Sequence, residues 1–402
     1  MAGDTIDSGT AQIGAAGFRV SQKRALGRKL LVRVHRTIGL SLGALFVFMG
    51  LTGSILAFWQ AIDEWLNAAI MRVEVPPQGT YRSLDAIFAA AKAAAPPDAR
   101  FERLKMPRHS AAVAAVVYMV PAGDFEMDID EVFVDPYTAE ATGQRLLRHG
   151  DNLLSQPFVH IVMDLHWTLL FGADKAYITG IPALFLLFSV LAGIYLWRPR
   201  NGNWRHALLL KWGASRERIL YDVHKSVGFY LSAVLILSLF SGISMIFKPQ
   251  VRALVASFSP VREKPQNFHS TPIAGKPPLR LDAAAAIADK VFPDGKLHWI
   301  LIPGGPEGVY VVGKHADSEP NRAGTNRNVA IDQYSGQILH VQDRADFSPG
   351  EKFLEWQYPL HCGEAFGNAG RAFIMAMGFV PLALYVTGFM RWRQKRRAQK
   401  GR

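Results

Sequence analysis

Four of the twelve histidines occupy matched places in two halves of the chain. His35 and His224 are each followed by glycine at offset 4 and by a second glycine at offset 18. His166 and His361 are each followed by Phe-Gly at offsets 5 and 6, by glycine at offset 27 and by tryptophan at offset 31. Spacing repeated over this length predicts an internal duplication, which sets each histidine opposite its counterpart across a bundle axis.

Facing imidazoles on bundle helices suit the axial ligation of a haem iron. We therefore predict two b-type haems, one held by His35 and His224 and the other by His166 and His361. The single cysteine, Cys362, excludes a covalent c-type haem, which needs a C-x-x-C-H sequence. A zinc site fits poorly, because zinc takes three or four converging ligands and each predicted pair supplies two.

Small residues follow the first histidine pair on the same helical face. They are Gly39 and Gly43 in one half, and Gly228 and Ser232 in the other. Missing side chains at these positions would leave room for the edge of a porphyrin. Small residues at steps of four also occur where membrane helices pack closely without any cofactor, so the glycines alone leave both interpretations open.

Cationic residues follow the predicted ligands. Arg36 and Lys225 come directly after the first pair, and Lys175 and Arg371 come shortly after the second. We expect Arg36, Lys225 and Arg371 to pair with haem propionates at the membrane surfaces, whereas Lys175 lacks a clean counterpart in the other half. His160, six residues before His166, is an alternative ligand, but it has no histidine counterpart in the repeat.

The histidines flank four nearly uncharged stretches of about twenty residues, at 38–58, 177–197, 228–247 and 372–390. Each is long enough to cross a bilayer as a helix, so the predicted fold class is a membrane α+β protein with a bundle of four transmembrane helices. The net charge of +12 comes from basic segments at the N-terminus, the middle loop and the tail. These lie on one side of a four-span topology, which the positive-inside rule makes cytoplasmic, so the charge does not indicate nucleic-acid binding.

The segments outside the membrane repeat as well. Asp135 and Tyr137 in one match Asp332 and Tyr334 in the other, each pair following an alternating strand. An alanine-rich helical stretch precedes the strands in both. We predict two small domains, each a helix packed on an antiparallel sheet, on the outer side of the membrane.

These patterns divide the chain into nine predicted segments. They are a cytoplasmic arm (1–29), transmembrane helix one (30–60), the first outer domain (61–153), transmembrane helix two with its lead-in (154–200), a cytoplasmic loop (201–219), transmembrane helix three (220–249), the second outer domain (250–352), transmembrane helix four with its lead-in (353–392) and a cytoplasmic tail (393–402).

The signatures "VHRTIGL…LTG", "LHWTLLFG…AGIYLW", "VHKSVGF…FSG" and "LHCGEAFGNAGR…TGFMRW" resemble the PepSY-associated transmembrane family of bacteria, also called the iron-regulated membrane protein family. The resemblance covers roughly residues 30 to 392, and the outer domains resemble PepSY domains. It implies an inner-membrane, di-haem protein with periplasmic domains that is linked to siderophore uptake. The axial histidines of the family pattern match the four histidines identified above.

We therefore expect an oxidoreductase that transfers electrons across the membrane and reduces a periplasmic ferric siderophore, releasing Fe(II). The chain shows no nicotinamide or flavin motif, so a cytoplasmic partner or a membrane quinol would supply the electrons. Two alternatives remain open at this stage. One is a membrane-anchored PepSY regulator or transporter accessory subunit without enzymatic activity, and the other is a component of haem-iron transport.

Overall fold

The computed structural model describes residues 26–401, with gaps at 123–126, 151, 153, 200, 201, 203, 205–207, 212, 264–266 and 323. Most of the predicted arm (1–29) and part of the predicted loop (201–219) lie outside the described residues. The chain divides into two compact units. The first, here the helical unit, comprises Met1–Ser54, Ile178–Ile243 and Met375–Arg402; the second, here the sheet unit, comprises Ile55–Tyr177 and Ser244–Ile374.

The described helices and strands follow one another in two similar series. The first contains α1 (Leu26–Ser41), α2 (Gly43–Leu56), α3 (Trp59–Leu66), α4 (Ala68–Met71), α5 (Leu84–Ala94), β1 (Arg100–Lys105), β2 (Ala114–Pro121), β3 (Met127–Val134), β4 (Ala141–His149), α6 (Phe158–Thr168) and α7 (Tyr177–Trp197). The second contains α8 (Arg216–Tyr230), α9 (Ser232–Ile246), α10 (Lys248–Ala256), α11 (Leu281–Val291), β5 (Lys296–Leu301), β6 (Val309–His315), β7 (Arg327–Asp332), β8 (Ile338–Gln342), α12 (Pro349–Cys362), α13 (Gly367–Met377) and α14 (Val380–Lys400).

Two helical stretches among the described residues are long and apolar enough to cross a membrane. They are α7 (Tyr177–Trp197) and the stretch Glu364–Lys400, which contains α13 and α14. Two bent pairs also qualify when each pair counts as one span: α1 with α2, bent by 54°, and α8 with α9, bent by 57°. A serine hydroxyl lies at each bend and donates to a carbonyl of the helix before the bend, from Ser41 Oγ to Thr37 O at 2.8 Å and from Ser232 Oγ to Phe229 O at 2.7 Å. Such bonds compete with the backbone ladder and bend helices.

The sheet unit contains one eight-stranded antiparallel sheet in the order β4-β3-β2-β1-β5-β6-β7-β8. The strands of the two predicted outer domains therefore form a single sheet. They are joined where β1 pairs with β5, with Leu104 opposite Ile300. Helix and antiparallel strands confirm the α+β class, whereas the pairing of β1 with β5 was not predicted from the sequence.

The alanine-rich stretches form α5 and α11, which pack on the sheet. Ile87 and Ala91 of α5 and Ala284 and Ala288 of α11 are fully buried in one hydrophobic cluster with the central strands. Alanine lets a helix lie close to the sheet and costs no side-chain entropy when it is buried. The core of this unit is therefore continuous across both halves of the sheet.

The predicted turns after β3 and β7 are also present. The Asp135 carboxylate accepts the backbone N–H of Tyr137 at 2.7 Å, and the Asp332 carboxylate accepts that of Tyr334 at 2.9 Å. Burial raises the pKa of Asp332, but hydrogen bonds from Ser335, Thr271 and Tyr334 outweigh it and lower that pKa to about 2. Asp332 is therefore ionised at neutral pH, and both aspartates accept the hydrogen bond that fixes an Asx-type turn at the end of a strand.

The N-termini of α5 and α11 cap one another. The backbone N–H of Leu84 donates to Asp282 at 2.8 Å, and that of Leu281 donates to Asp85 at 2.9 Å. Each aspartate thus supplies the acceptor that the other helix lacks at its first turn. Burial alone would raise the pKa of Asp85, but hydrogen bonds, the largest from Asp282, outweigh burial and lower that pKa. The pKa of Asp282 is instead raised, by burial and by the hydrogen bond with Asp85.

We predict opposite effects for the two amide substitutions at this reciprocal cap. Asp85→Asn should destabilise the protein at pH 7 by about 1 kcal/mol, because it removes an ionised cap. Asp282→Asn should be neutral or stabilising there, because folding raises the pKa of Asp282 and its ionised form at pH 7 therefore opposes folding. Thermal unfolding in detergent between pH 3 and 8 measures both.

The pH dependence separates the two roles. The contribution of Asp85 is present above its unfolded pKa of about 4 and is lost as the pH falls, because its pKa is lowered on folding. The deficit of Asp85→Asn should therefore stay nearly constant above about pH 5 and shrink as the pH falls below about 4. Equal destabilisation by both substitutions at every pH would contradict this assignment.

Candidate functional site

The first predicted histidine pair meets within the helical unit. His35 on α1 and His224 on α8 face one another, with ring centroids 6.3 Å apart and planes crossed at 75°. Their ring planes are therefore strongly crossed and do not stack. Both lie in the two helix pairs that bend, at corresponding positions before the bend.

Backbone carbonyls hold both rings of this pair by the same nitrogen. His35 Nδ1 lies 2.9 Å from the carbonyl oxygen of Ser189 on α7, and also 2.9 Å from the Ser189 hydroxyl. His224 Nδ1 lies 3.1 Å from the carbonyl oxygen of Leu384 on α14, and 3.0 Å from the Thr387 hydroxyl. A carbonyl only accepts, so Nδ1 carries the proton and Nε2 keeps its lone pair for a ligand bond.

Two glycines allow this close approach of helix and imidazole. A Cβ on Gly193 would lie 3.3 Å from Cε1 of His35, and one on Gly388 would lie 3.3 Å from Cε1 of His224. Both glycines stand four residues after the carbonyl that holds the ring, one helical turn further along the same face. The repeated glycines of the sequence therefore serve as contact points for the histidine rings.

The second predicted pair meets within the sheet unit. His166 on α6 and His361 on α12 have ring centroids 6.1 Å apart and planes crossed at 62°. Each helix ends shortly after its histidine at a residue with positive φ, Leu169 at 53° and Gly363 at 80°. The chain thus turns away directly behind both rings. On α12 this turn is packed against a second glycine, because a Cβ on Gly370 would overlap the Gly363 backbone.

The spacing of both pairs fits one metal ion between two imidazoles. Nitrogen ligands about 2 Å from a shared ion place the centroids of two opposed imidazole rings about 6 Å apart. The observed separations are 6.3 and 6.1 Å. The donor set also suits haem, because imidazole nitrogens are common ligands of haem iron. In the first pair the hydrogen bonds of Nδ1 leave the Nε2 lone pair of each ring available for a ligand bond.

The predicted small residues behave in different ways. A Cβ on Gly39 would meet no atom within 4 Å, and one on Gly228 would make only ordinary contact with Leu384 at 3.6 Å. Gly43 instead packs against the ring of Tyr385. Space for a flat group therefore lies beside Gly39, whereas Gly43 serves the contact between α2 and α14.

The predicted cations are also placed differently from one another. Arg36 is exposed on α1. Lys225 donates to the fully buried Asp222 at 3.1 Å, three residues earlier on α8. Arg371 donates from Nε to the carbonyl oxygen of Ala57 at 2.6 Å, and its guanidinium lies over the Phe58 ring. Lys225 and Arg371 thus already have protein partners.

His160 lies apart from the pair formed by His166 and His361. Its ring meets the ring of Trp59 edgewise at 6.1 Å, and its buried Nδ1 has no hydrogen-bond partner in the described structure. Burial lowers the pKa of His160, and nearby Arg145 lowers it further. Of the two candidate ligands on α6, His166 is therefore the one that faces His361.

A buried ionic network lies beside His160. Arg145 forms two hydrogen bonds of 2.8 Å with the Asp63 carboxylate and also contacts Glu131, which Lys105 reaches at 2.7 Å. The Asp63 and Glu131 side chains are 4% and 5% exposed. Burial opposes ionisation of Glu131, but Lys105 and Arg145 outweigh it and lower its pKa. Sequence reasoning missed this network, because its four members come from four different elements of the chain.

The remaining candidate donors add no third ligand to either pair. Cys362 is a free thiol next to His361, and burial is the main cause that raises its pKa to about 11, so it stays protonated at neutral pH. Among the residues described, no group of three or more histidine, cysteine, aspartate or glutamate side chains is placed to hold a metal ion.

The fold and the site define an α+β membrane protein with two facing histidine pairs. The family model of the PepSY-associated TM region matches residues 32–395. The chain therefore belongs to the PepSY-associated transmembrane family, as its signatures indicated. No curated protein matches it.

We predict that Arg145→Met strongly destabilises the protein. It removes both 2.8 Å hydrogen bonds of the buried Asp63 carboxylate and leaves Glu131 with Lys105 alone. Breaking a buried ion pair in this way typically costs roughly 3–5 kcal/mol. Lys105→Met is the matched control, because Lys105 is 45% exposed and its loss leaves Glu131 bonded to Arg145. Thermal unfolding in detergent should show a much smaller decrease for the control.

Acid should partly rescue Arg145→Met. Without the guanidinium, only Lys105 opposes the effect of burial, so the pKa of Glu131 in the folded variant is higher than in the folded wild type. The stability difference between the two proteins therefore narrows as the pH falls and Glu131 becomes protonated. The unfolding midpoint of the variant should approach that of the wild type between pH 7 and 3. A constant difference over this range would contradict the proposed charge state.

Proposed function

We propose that this protein is a di-haem oxidoreductase of the bacterial inner membrane that reduces periplasmic ferric siderophores. One haem b would be held by His35 and His224, and the other by His166 and His361. The observation that carries the proposal is the repeated geometry of the two pairs. Each brings two imidazoles from different helices to the separation that a shared iron requires.

The surroundings of the first pair support ligation over simple packing. Packing alone does not require both rings to present the same nitrogen, yet His35 and His224 each have Nδ1 held by a carbonyl four residues before a glycine. Outer bonds of this kind fix the tautomer and the orientation of a ligating imidazole. A haem bound in such a site supplies reversible one-electron transfer.

The residues of the chain would bind and orient the group and keep water away. The glycines at 193 and 388 bring α7 and α14 against the ligand rings, and the second pair stands on helices anchored to the sheet unit by its own residues. On α12, Glu355 accepts hydrogen bonds from Asn326 and Arg344, six residues before His361. These contacts hold the ligand helix in place without contributing a ligand.

The substrate step involves no bond cleavage within the siderophore. The chelated Fe(III) gains one electron and becomes Fe(II), and a cytoplasmic partner or a membrane quinol loses one. Fe(II) is a softer ion than Fe(III), so oxygen donors hold it less tightly and release it. Arg36 is the exposed cation that remains available for a propionate, whereas Lys225 and Arg371 would have to exchange partners.

The proposed topology has four spans. Each bent helix pair would count as one span, with both termini and the middle loop in the cytoplasm and residues 61–160 and 250–355 in the periplasm. The positions of the basic segments support this orientation. The repeated order of helices and strands in the two halves supports an internal duplication, and anionic lipid would contact the basic side.

Haem content tests the proposal directly. The detergent-purified protein should contain two b-type haems per chain, counted as the pyridine haemochrome. His361→Ala should retain one, because it removes a ligand of only one pair. His340→Ala, a histidine stacked on Phe268 in the sheet, should retain both.

The alternatives give different results. A colourless protein from haem-replete cells would favour a regulator or accessory subunit, and loss of both haems or neither in His361→Ala would contradict the pairing. Reduced protein mixed with a ferric siderophore should reoxidise and release Fe(II), trapped as a coloured ferrous chelate. Release of haem without reoxidation would favour haem transport.

The glycine contacts give a more specific prediction. Gly388→Ala places a Cβ 3.3 Å from His224 Cε1, so the ring must shift by a few tenths of an ångström. The electron paramagnetic resonance signal of one oxidised haem should change, while the signal of the His166–His361 haem serves as the internal control. Gly193→Ala should alter the same signal, since His35 would bind the same iron. Changes in different haems would overturn this pairing.

A further inference from the structure

A third pair of histidines faces one another in the sheet unit, apart from both pairs described above. His298 on β5 and His315 on β6 have ring centroids 6.1 Å apart, with planes tilted by 39°. This is the same centroid separation as between His166 and His361. Both residues are half-buried, so the space between their rings can be reached from solvent.

A local irregularity of the sheet lies at one member of the pair. The pairing of β5 with β6 shifts between Leu297 and Trp299, which makes His298 the bulged residue, while His315 pairs with Lys296. In a regular ladder the two histidines would be diagonal neighbours on one face, and the bulge changes the direction of the His298 side chain. Bulges re-aim side chains in this way and are common beside functional sites.

One nitrogen of His315 is already fixed by the backbone. His315 Nε2 lies 3.1 Å from the carbonyl oxygen of Asn321, so Nε2 carries the proton and donates. Nδ1 therefore keeps its lone pair. The bond from the far nitrogen of a ring to a carbonyl is the arrangement that orients a metal-ligating histidine.

The charges around the pair are balanced by local partners. Lys296, which neighbours His315 in the ladder, pairs with Asp317 at 3.1 Å, and Lys314 pairs with Asp289. The nearest lysines are thus neutralised and impose little electrostatic cost on a bound cation.

The other half of the sheet lacks this pair. The bulge in β1 falls at Glu102, and Met119 on β2 pairs with Arg100 as His315 pairs with Lys296. The corresponding residues are thus Glu102 and Met119, and Glu102 contacts Arg103. A feature needed only to stabilise the sheet would be expected in both halves. The histidine pair is therefore interpreted as serving a function that is specific to the second half.

We propose that His298 and His315 form a binding site for a divalent first-row transition metal ion, with water or a small chelator in the remaining positions. Imidazole nitrogen suits Fe(II), Zn(II) and Ni(II), whereas Fe(III) prefers the oxygen donors of a siderophore. The physiological ion is assigned as the Fe(II) released by reduction, and that assignment alone rests on the proposed function. Two protein ligands make a weak site, which suits an ion that is passed on.

Zinc tests the site without interference from haem iron. The full-length protein in detergent, with any affinity tag removed, is dialysed to equilibrium against low micromolar Zn(II), and bound zinc is counted by elemental analysis. The wild type should bind one equivalent more than His298→Ala and His315→Ala. His340→Ala, a sheet histidine stacked on Phe268, is the matched control and should bind as the wild type does.

Haem counts on the same samples separate this proposal from the proposed function. Both variants should keep two haems, so loss of zinc with full haem content supports the site. Equal zinc in wild type and variants would overturn it, as would a third haem that is lost in His315→Ala. A protein without haem that still loses one zinc in the two variants would refute the proposed function and leave this site intact. Anaerobic dialysis against Fe(II) should give the same difference between wild type and variants in bound non-haem iron, which is total iron minus haem iron.

Discussion

An imidazole presents one nitrogen in a fixed direction only when its other nitrogen is held. In this protein the holding group of the first pair is a helix carbonyl, reached because a glycine one turn later leaves the ring room to lie against the helix. The helices α1, α7, α8 and α14 must therefore keep the relative positions that preserve these hydrogen bonds. The bends at Ser41 and Ser232 are part of the same arrangement, since each directly follows the helix that carries one of these histidines.

The sequence predicted the residues of the site better than their surroundings. The four histidines were identified because repeated offsets over hundreds of residues leave a signal in the residue types themselves. Their hydrogen-bond acceptors left none, because the carbonyls of Ser189 and Leu384 belong to the backbone and every residue has one. The ion pair between Lys225 and Asp222 was also not predicted, although the sequence does carry a signal for it. Asp222 lies three residues before Lys225 on the same helix, and this i,i+3 spacing already favours an ion pair.

The class of the fold followed from apolar length and strand alternation, but the organisation of the sheet did not. Each strand is marked by its own residues, whereas the identity of its neighbour depends on contacts between distant segments. The pairing of β1 with β5 joins residues almost two hundred positions apart, and nothing in the alternation of Leu104 or Ile300 specifies it. The network around Arg145 has the same property, since Asp63, Glu131 and Lys105 become neighbours only after the sheet and α3 have formed.

The register of the central strand pair has an evolutionary consequence. If the two halves are aligned by their bulges, Leu104 corresponds to Ile300, and these two residues lie directly opposite one another. A strand that pairs antiparallel with its own equivalent has the geometry of an isologous dimer interface. An ancestor of half this length would have completed its sheet by pairing with a second copy of itself. Fusion of two such halves would remove the exposed edge and would free each half to acquire side chains that the other lacks.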